Sequence, residues 1–244
     1  MKIIPLFILL SLAIAGRSQQ KDAFYPLDAS LKPTKLDSAH YFIRIREVND
    51  SSWQWDLYNM FGPLIKSERY RDRDGSVQQG ISYYYDRNGR LDSTMPFRNG
   101  KRDGECFKYA HDSLRLLYKY VYRDDSLVGS IDVSDKKPDT TVKHPDEKES
   151  EYPGGVGKWL RYLNKNLKYP DRAINSKIDG EVRVGFIVDK EGNVIEPFIY
   201  RSVEYSLDDE AIRIVSHSGK WTPAFQDGRI VKSYKCQPII YRLD

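Results

Sequence analysis

The chain has little of what most catalytic sites are built from. Its 244 residues include four histidines, two cysteines and three methionines. His40, His111, His144 and His217 show no mutual spacing suited to a metal site or a nucleophile relay, so no metal and no histidine-driven catalysis is expected. No glycine-rich loop follows a strand and opens a helix, which removes the usual phosphate cradle. One-signed charge is also scarce. The 39 basic residues nearly balance 35 acidic ones, and no basic stripe marks a nucleic-acid surface. Cys106 and Cys236 fall in separate strand-like runs and read as unpaired, buried thiols. Beyond residue 20 no apolar run approaches the roughly 20 residues that a spanning helix needs. The expectation is a non-enzymatic protein without a cofactor.

What is present is globular and rich in β-forming side chains. Hydrophobic residues make up 40% and charged residues 30% of the chain, and 18 tyrosines contribute to an aromatic share of 13%. Residues 1–18 read as a secretory signal peptide. Lys2 supplies the basic start, Ile3–Ala15 the apolar stretch, and Ala13, Ala15, Gly16 and Ser18 the small residues around a cleavage site. An uncleaved inner-membrane anchor is the alternative. The expected location is the periplasm.

Residues 21–133 read as a β-hairpin repeat domain. Gly80-Ile-Ser-Tyr-Tyr-Tyr is echoed 24 residues later by Gly104-Glu-Cys-Phe-Lys-Tyr, and Gly129-Ser-Ile follows after 25 more. Aromatic runs alternate with turn signals such as Asp86-Arg-Asn-Gly89 and Asn99-Gly100, whose residues tolerate the positive φ of tight hairpins. From about residue 53 to 131 this pattern resembles MORN-like repeats. Asp72-Arg-Asp74-Gly75 and Asp86-Arg-Asn88-Gly89 look like the start of calcium loops but lack the later bidentate Glu, so they read as turns. Residues 134–150 are polar, carry no aromatic side chain, and read as a linker.

Residues 151–244 carry the clearest pattern. Val156, Trp159, Leu160, Leu163 and Leu167 mark one face of a helix that must stop near Lys168, because Tyr169 precedes Pro170. Val182, Val184, Phe186 and Val188 alternate in a strand. After the Asp189–Asn193 loop, Val194–Arg201 returns antiparallel, with Pro197 favouring an edge or a bulge. Ser206 reads as the N-cap of a second helix, with Asp208, Asp209 and Glu210 as charges suited to its positive end. Leu207, Ala211, Ile214 and Val215 form its buried stripe, and Ile230–Leu243 reads as one final strand. Trp221 is expected in the core, and Arg183 and Arg201 at solvated strand positions. The fold class is α+β: an antiparallel sheet packed against two helices, preceded by an all-β repeat domain.

These elements, in this order, resemble the C-terminal domain of TonB-type energy transducers. The residues that carry the resemblance are Pro153-Gly154-Gly155, Tyr169-Pro170-x-x-Ala173, Gly180 with the alternating strand, Gly192-x-Val194, Asp208-x-x-Ala211 and Trp221-x-Pro223. The resemblance implies a domain that binds the extended N-terminal segment of outer-membrane TonB-dependent transporters by adding it as a strand. It places the accepting edge at Lys232, Ser233, Tyr234, Lys235, Cys236 and Gln237, with Tyr169 and Pro170 in the region of partner contact. A role supporting energy-dependent transmembrane transport follows from the same likeness. The chain departs from a full transducer, because a hairpin domain stands where a proline-rich spacer is expected. The alternative is an envelope scaffold that forms a homodimer through the edge strand.

Overall fold

The structure, a computed structural model, describes residues 22–110, 115–134 and 147–243. The signal-peptide reading and most of the linker reading fall outside them. Among the described residues no helix is long and apolar enough to cross a membrane.

The N-terminal part is an antiparallel meander. Its strands are β1 (Ala23–Leu27), β2 (Tyr41–Asn49), β3 (Ser52–Asn59), β4 (Leu64–Tyr70), β5 (Gly80–Tyr85), β6 (Leu91–Arg98), the short β7 (Lys101–Arg102), β8 (Gly104–Tyr109), β9 (Leu116–Arg123) and β10 (Ser126–Asp132). All pair in chain order, except that β7 and β8 both pair with β6. Turn chemistry explains the order. Asn99 and Gly100 sit at φ 53° and 80°, and Asp124 and Asp125 at 46° and 69°. Two successive positive φ values match the twist of the flanking strands. Elsewhere aspartates brace the loops. The Asp86 carboxylate accepts from the N–H groups of Asn88 and Arg90 at 2.8 and 2.9 Å, and Asp72 accepts from those of Ser76 and Val77. Of the three glycines in the 24-residue pattern, Gly80 and Gly104 open strands at positive φ, while Gly129 lies within β10.

Alternation gives the meander two different faces. One carries Glu68, which is buried and accepts from Lys66 Nζ at 2.6 Å and Tyr70 OH at 3.0 Å. The other presents cross-strand rows. Phe42, Tyr58 and Leu64 form an apolar row, Arg44, Asp56, Ser67 and Tyr83 the next, and Arg46, Gln54 and Arg69 a polar outer row.

The C-terminal part contains α1 (Gly155–Asn166), α2 (Asp171–Asn175), β11 (Gly180–Val188), β12 (Val194–Arg201), α3 (Tyr205–Ser216), the small hairpin β13 (Ala224–Gln226) and β14 (Arg229–Val231), and β15 (Ser233–Tyr241). β11 lies between β12 and β15, both antiparallel to it. Val182, Val184, Phe186 and Val188 are fully buried beneath the helices, together with Leu207, Ala211, Ile214 and Val215. Trp221 is buried among Tyr152, Trp159 and Phe186. Pro197 lies on the edge strand, at an irregularity in its pairing with β11. Gly185 leaves room for the Phe198 ring, which would stand 2.4 Å from an added Cβ.

Three local expectations are corrected. The final run is two strands, because Arg229–Val231 folds back on Ala224–Gln226 before β15 begins. The N-cap of α3 is Glu204, whose carboxylate accepts from the Ser206 N–H at 2.8 Å and its hydroxyl at 2.6 Å, so Ser206 already lies inside the helix. The α1 stripe is only partly buried: Trp159 and Leu163 are in the core, whereas Val156 is 74% and Leu160 53% exposed.

The two parts share one core. Phe42, Tyr58 and Leu64 from the meander pack in the same apolar cluster as Phe186, Leu207 and Ile214. Polar contacts lock the seam. Arg44 reaches Asp209 at 2.8 Å, Tyr85 OH donates to the Ile199 carbonyl at 2.8 Å, and Ser202 N–H donates to the Gly89 carbonyl at 2.8 Å. Tyr83 stacks on Phe198 at 5.0 Å. The sheet face turned away from the helices is thus partly covered by the meander.

Candidate functional site: an open strand edge beside an apolar groove

β15 hydrogen-bonds β11 along one side only, from Gly180↔Tyr241 to Val188↔Ser233. Its other side is paired with no strand among the described residues. The position of Pro238 fixes which groups face outward. Proline has no N–H, so within a ladder its nitrogen must point away from the partner strand. Pro238 is opposite Arg183. By two-residue alternation the N–H groups of Tyr234, Cys236 and Ile240 then also point outward, while those of Lys235, Gln237 and Ile239 serve β11.

A groove of about 440 Å³ runs beside this strand. α1 supplies Val156, Trp159, Leu160 and Leu163, and β15 supplies Lys235, Gln237, Pro238 and Ile240. Val156 and Leu160 give the α1 side of the groove its exposed apolar surface, and Ile240, 49% exposed, borders it at the strand edge. The arrangement combines unpaired backbone groups with an apolar slot for alternate side chains, which is what strand addition requires. At one end the groove is closed by the chain itself. Ser233 Oγ donates to the buried Ser150 Oγ at 2.7 Å, Lys235 lies 3.8 Å from Glu149, and Lys148 and Glu151 bridge to Phe225 and Thr222. The open stretch therefore runs from about Lys235 toward Tyr241.

The sequence-derived site residues separate into three groups. Lys235 and Gln237 line the groove, and Tyr234 is 80% exposed on the strand. Cys236 is half-buried and free, and burial raises its thiol pKa; Ser233 is held by Ser150. Lys232 lies between β14 and β15 and is exposed. Tyr169 and Pro170 do not line the groove. The Tyr169 hydroxyl donates to the Ile178 carbonyl at 2.8 Å, its ring meets Tyr241 edge-on at 5.5 Å, and Pro170 is the N-cap of α2. Sequence reasoning missed Val156, Leu160, Pro238 and Ile240 as surface. The signal was there: an α1 apolar stripe wider than the core it covers.

No group of three or more potential metal ligands occurs among the described residues. The acidic run at α3 is spent on structure. Asp208 accepts from Ser202 and Tyr58, Asp209 pairs with Arg44, and Glu210 holds Arg213 at 2.6 Å and the Lys168 N–H at 2.7 Å.

Residues 165–243 match the family described as Gram-negative bacterial TonB protein C-terminal. The match begins in the last turn of α1, so Val156, Trp159, Leu160 and Leu163 lie outside it. Domains of this family are non-enzymatic protein-interaction modules that interact with outer-membrane transporters, which places them in the cell envelope. No curated protein and no solved structure matches the chain.

Proposed function

We propose that the C-terminal module captures an extended segment of an outer-membrane transporter as an added strand on β15, in the periplasm. The observation that carries this reading is the unpaired side of β15 lying along the groove between α1 and the strand. Main-chain pairing supplies affinity, and the groove between α1 and β15 selects apolar side chains at alternate positions. The family match of residues 165–243 supports the same partner class. The meander, read as MORN-like repeats, serves as a rigid base that covers the other side of the module. A part in energy-dependent transport belongs to the same proposal, with the transducing motor reached through a retained N-terminal anchor.

The test is a titration of the full chain with synthetic N-terminal segments of the transporters from the same envelope, followed by amide shifts and cross-strand contacts. Saturable binding with new backbone contacts at Cys236 and Ile240 supports the reading. Binding that maps to another surface sinks it, as does no binding by any of the segments. Concentration-dependent mass of the free chain, lost on blocking the same amides, would instead show an edge used for self-association.

A further inference from the structure

We propose that the cleft between the meander and the C-terminal module is a binding site for a small zwitterion of dipeptide size. The cleft encloses about 290 Å³. That is at the lower end of small-molecule pockets, which run from roughly 300 Å³ upward. Its floor is the apolar row around Tyr58 and Leu64, and the Tyr83–Phe198 stack contributes an aromatic wall. Its mouth carries the outer polar row of the meander, facing the β12 bulge.

The charges at the mouth divide into spent and unspent. Arg44 is engaged by Asp22 and Asp209, and Asp208 by Ser202 and Tyr58. Arg46 is different. It forms an ion pair with Asp56 at 3.7 Å, but its buried Nε has no hydrogen-bond partner among the described residues. A buried guanidinium N–H is costly to leave without an acceptor, and a ligand carboxylate is one group that would supply it. Arg69 stands two strands away in the same row, and its guanidinium forms no ion pair with the described residues. A carboxylate is the planar acceptor that guanidinium groups bind best at this size.

The opposite wall supplies the complementary charge at a strained position. Glu196 lies in the cleft lining with φ 52°, where β12 bulges out of register with β11. Bulges re-aim side chains, and a non-glycine residue held at positive φ marks a site where side-chain chemistry outweighs backbone comfort. Its carboxylate has no ion pair among the described residues. A ligand with a carboxylate toward Arg46 and Arg69 and an ammonium toward Glu196 satisfies all three.

Calorimetric titration of the full chain with L-alanyl-L-alanine tests this, beside its N-acetyl form and its C-terminal amide. The expected result is saturable binding of the free dipeptide and at least tenfold weaker binding of both capped forms. Glu196→Gly should lose the preference for the free amine while its Tm equals or exceeds that of the unaltered chain, because glycine removes the positive-φ strain. Arg46→Gln should lose the preference for the free carboxylate, with Arg69→Gln as the second variant if Arg46→Gln fails to fold. No saturable binding of the free dipeptide overturns the proposal, as does equal binding of the capped forms or unchanged binding by Glu196→Gly. Cys236→Pro should leave this binding intact, which separates the cleft from the β15 edge.

Discussion

The Tyr58 hydroxyl donates to Asp208 Oδ2 at 3.2 Å and joins the third strand of the meander to a helix 150 residues later. Both groups are buried, and the same carboxylate accepts from the Ser202 hydroxyl and the Val203 N–H. Ser202 Oγ in turn accepts the Leu64 N–H at 2.8 Å. The network pins α3, the end of β12 and the meander to one another through one buried carboxyl group.

That group makes the seam sensitive to pH. Burial raises the Asp208 pKa to about 7 from 3.8, against the opposing hydrogen bonds from Ser202, Val203 and Tyr58. Between those two values the folded chain holds a proton that the unfolded chain has released. The stability from this group is therefore full below about pH 4 and declines as pH rises toward 7, by at most about 1.4 kcal/mol per pH unit. Asp208→Asn should remove that slope. Urea denaturation of both proteins at pH 5 and pH 8 checks it. The unaltered chain should gain stability at pH 5 relative to Asp208→Asn, and parallel behaviour of the two would refute the assignment.

Loss of the phenol should act on the same network from the other side. Tyr58→Phe leaves the ring in its stack on Phe42 at 5.4 Å but withdraws a donor from the carboxylate. A hydrogen bond to a charged group is worth about 1.5–3 kcal/mol, so a destabilisation of that order is expected at pH 8. At pH 5, where the carboxyl is protonated, the loss should shrink. Thermal denaturation at the two pH values measures the difference.

The outward-facing amides of β15 give a prediction that separates capture from folding. Cys236→Pro and Ile240→Pro each remove a donor that β11 does not use, so peptide capture should be lost with the fold retained. Gln237→Pro removes a donor that β11 does use, and should cost about 3 kcal/mol or more of stability. Denaturation curves alongside peptide titration distinguish the two. Retained capture in both Cys236→Pro and Ile240→Pro would discard β15 as the accepting edge.

Local patterns explain why parts of this architecture are legible in the sequence. The alternation from Val182 to Val188 and the stripe from Leu207 to Val215 each repeat within one element, and each meets the core it implies. The hairpin turns at Asn99-Gly100 and Asp86–Gly89 are equally local. The seam is not. Arg44 and Asp56 are polar residues alternating with apolar ones, the signature of a solvated face, yet both are buried, and Arg44 pairs with Asp209 far along the chain. Asp208 and Asp209 suit a helix N-terminus so well that the sequence offers no reason to look for Tyr58 or Arg44 as partners. Glu204 escaped as the cap because its role depends on the extended conformation of the residue itself. The groove is illegible for the opposite reason: Val156 and Leu160 share one helix face with Trp159 and Leu163, and periodicity cannot tell a buried stripe from one that borders a groove.

The seam also rests on a turn that only glycine can make. Gly89 has φ 72°, and an added Cβ would stand 2.4 Å from the Ser202 carbonyl oxygen and 2.6 Å from Pro63 Cβ. Its own carbonyl accepts the Ser202 N–H at 2.8 Å. Gly100 has a similar φ of 80°, but nothing lies within 4 Å of the place where its Cβ would be. Gly100→Ala should therefore cost only the left-handed backbone penalty, about 1–2 kcal/mol. Gly89→Ala must pay the same penalty and also push β12 away from the meander, taking Ser202 and its bond to Asp208 with it. Its cost should exceed that of Gly100→Ala by at least about 1 kcal/mol, as overpacking against backbone does. The pH slope assigned to Asp208 should weaken in the same variant, since a carboxyl no longer sealed by the seam regains water. Equal stability of the two alanine variants, with the slope unchanged, would mean that the turn and the network bear on the fold independently.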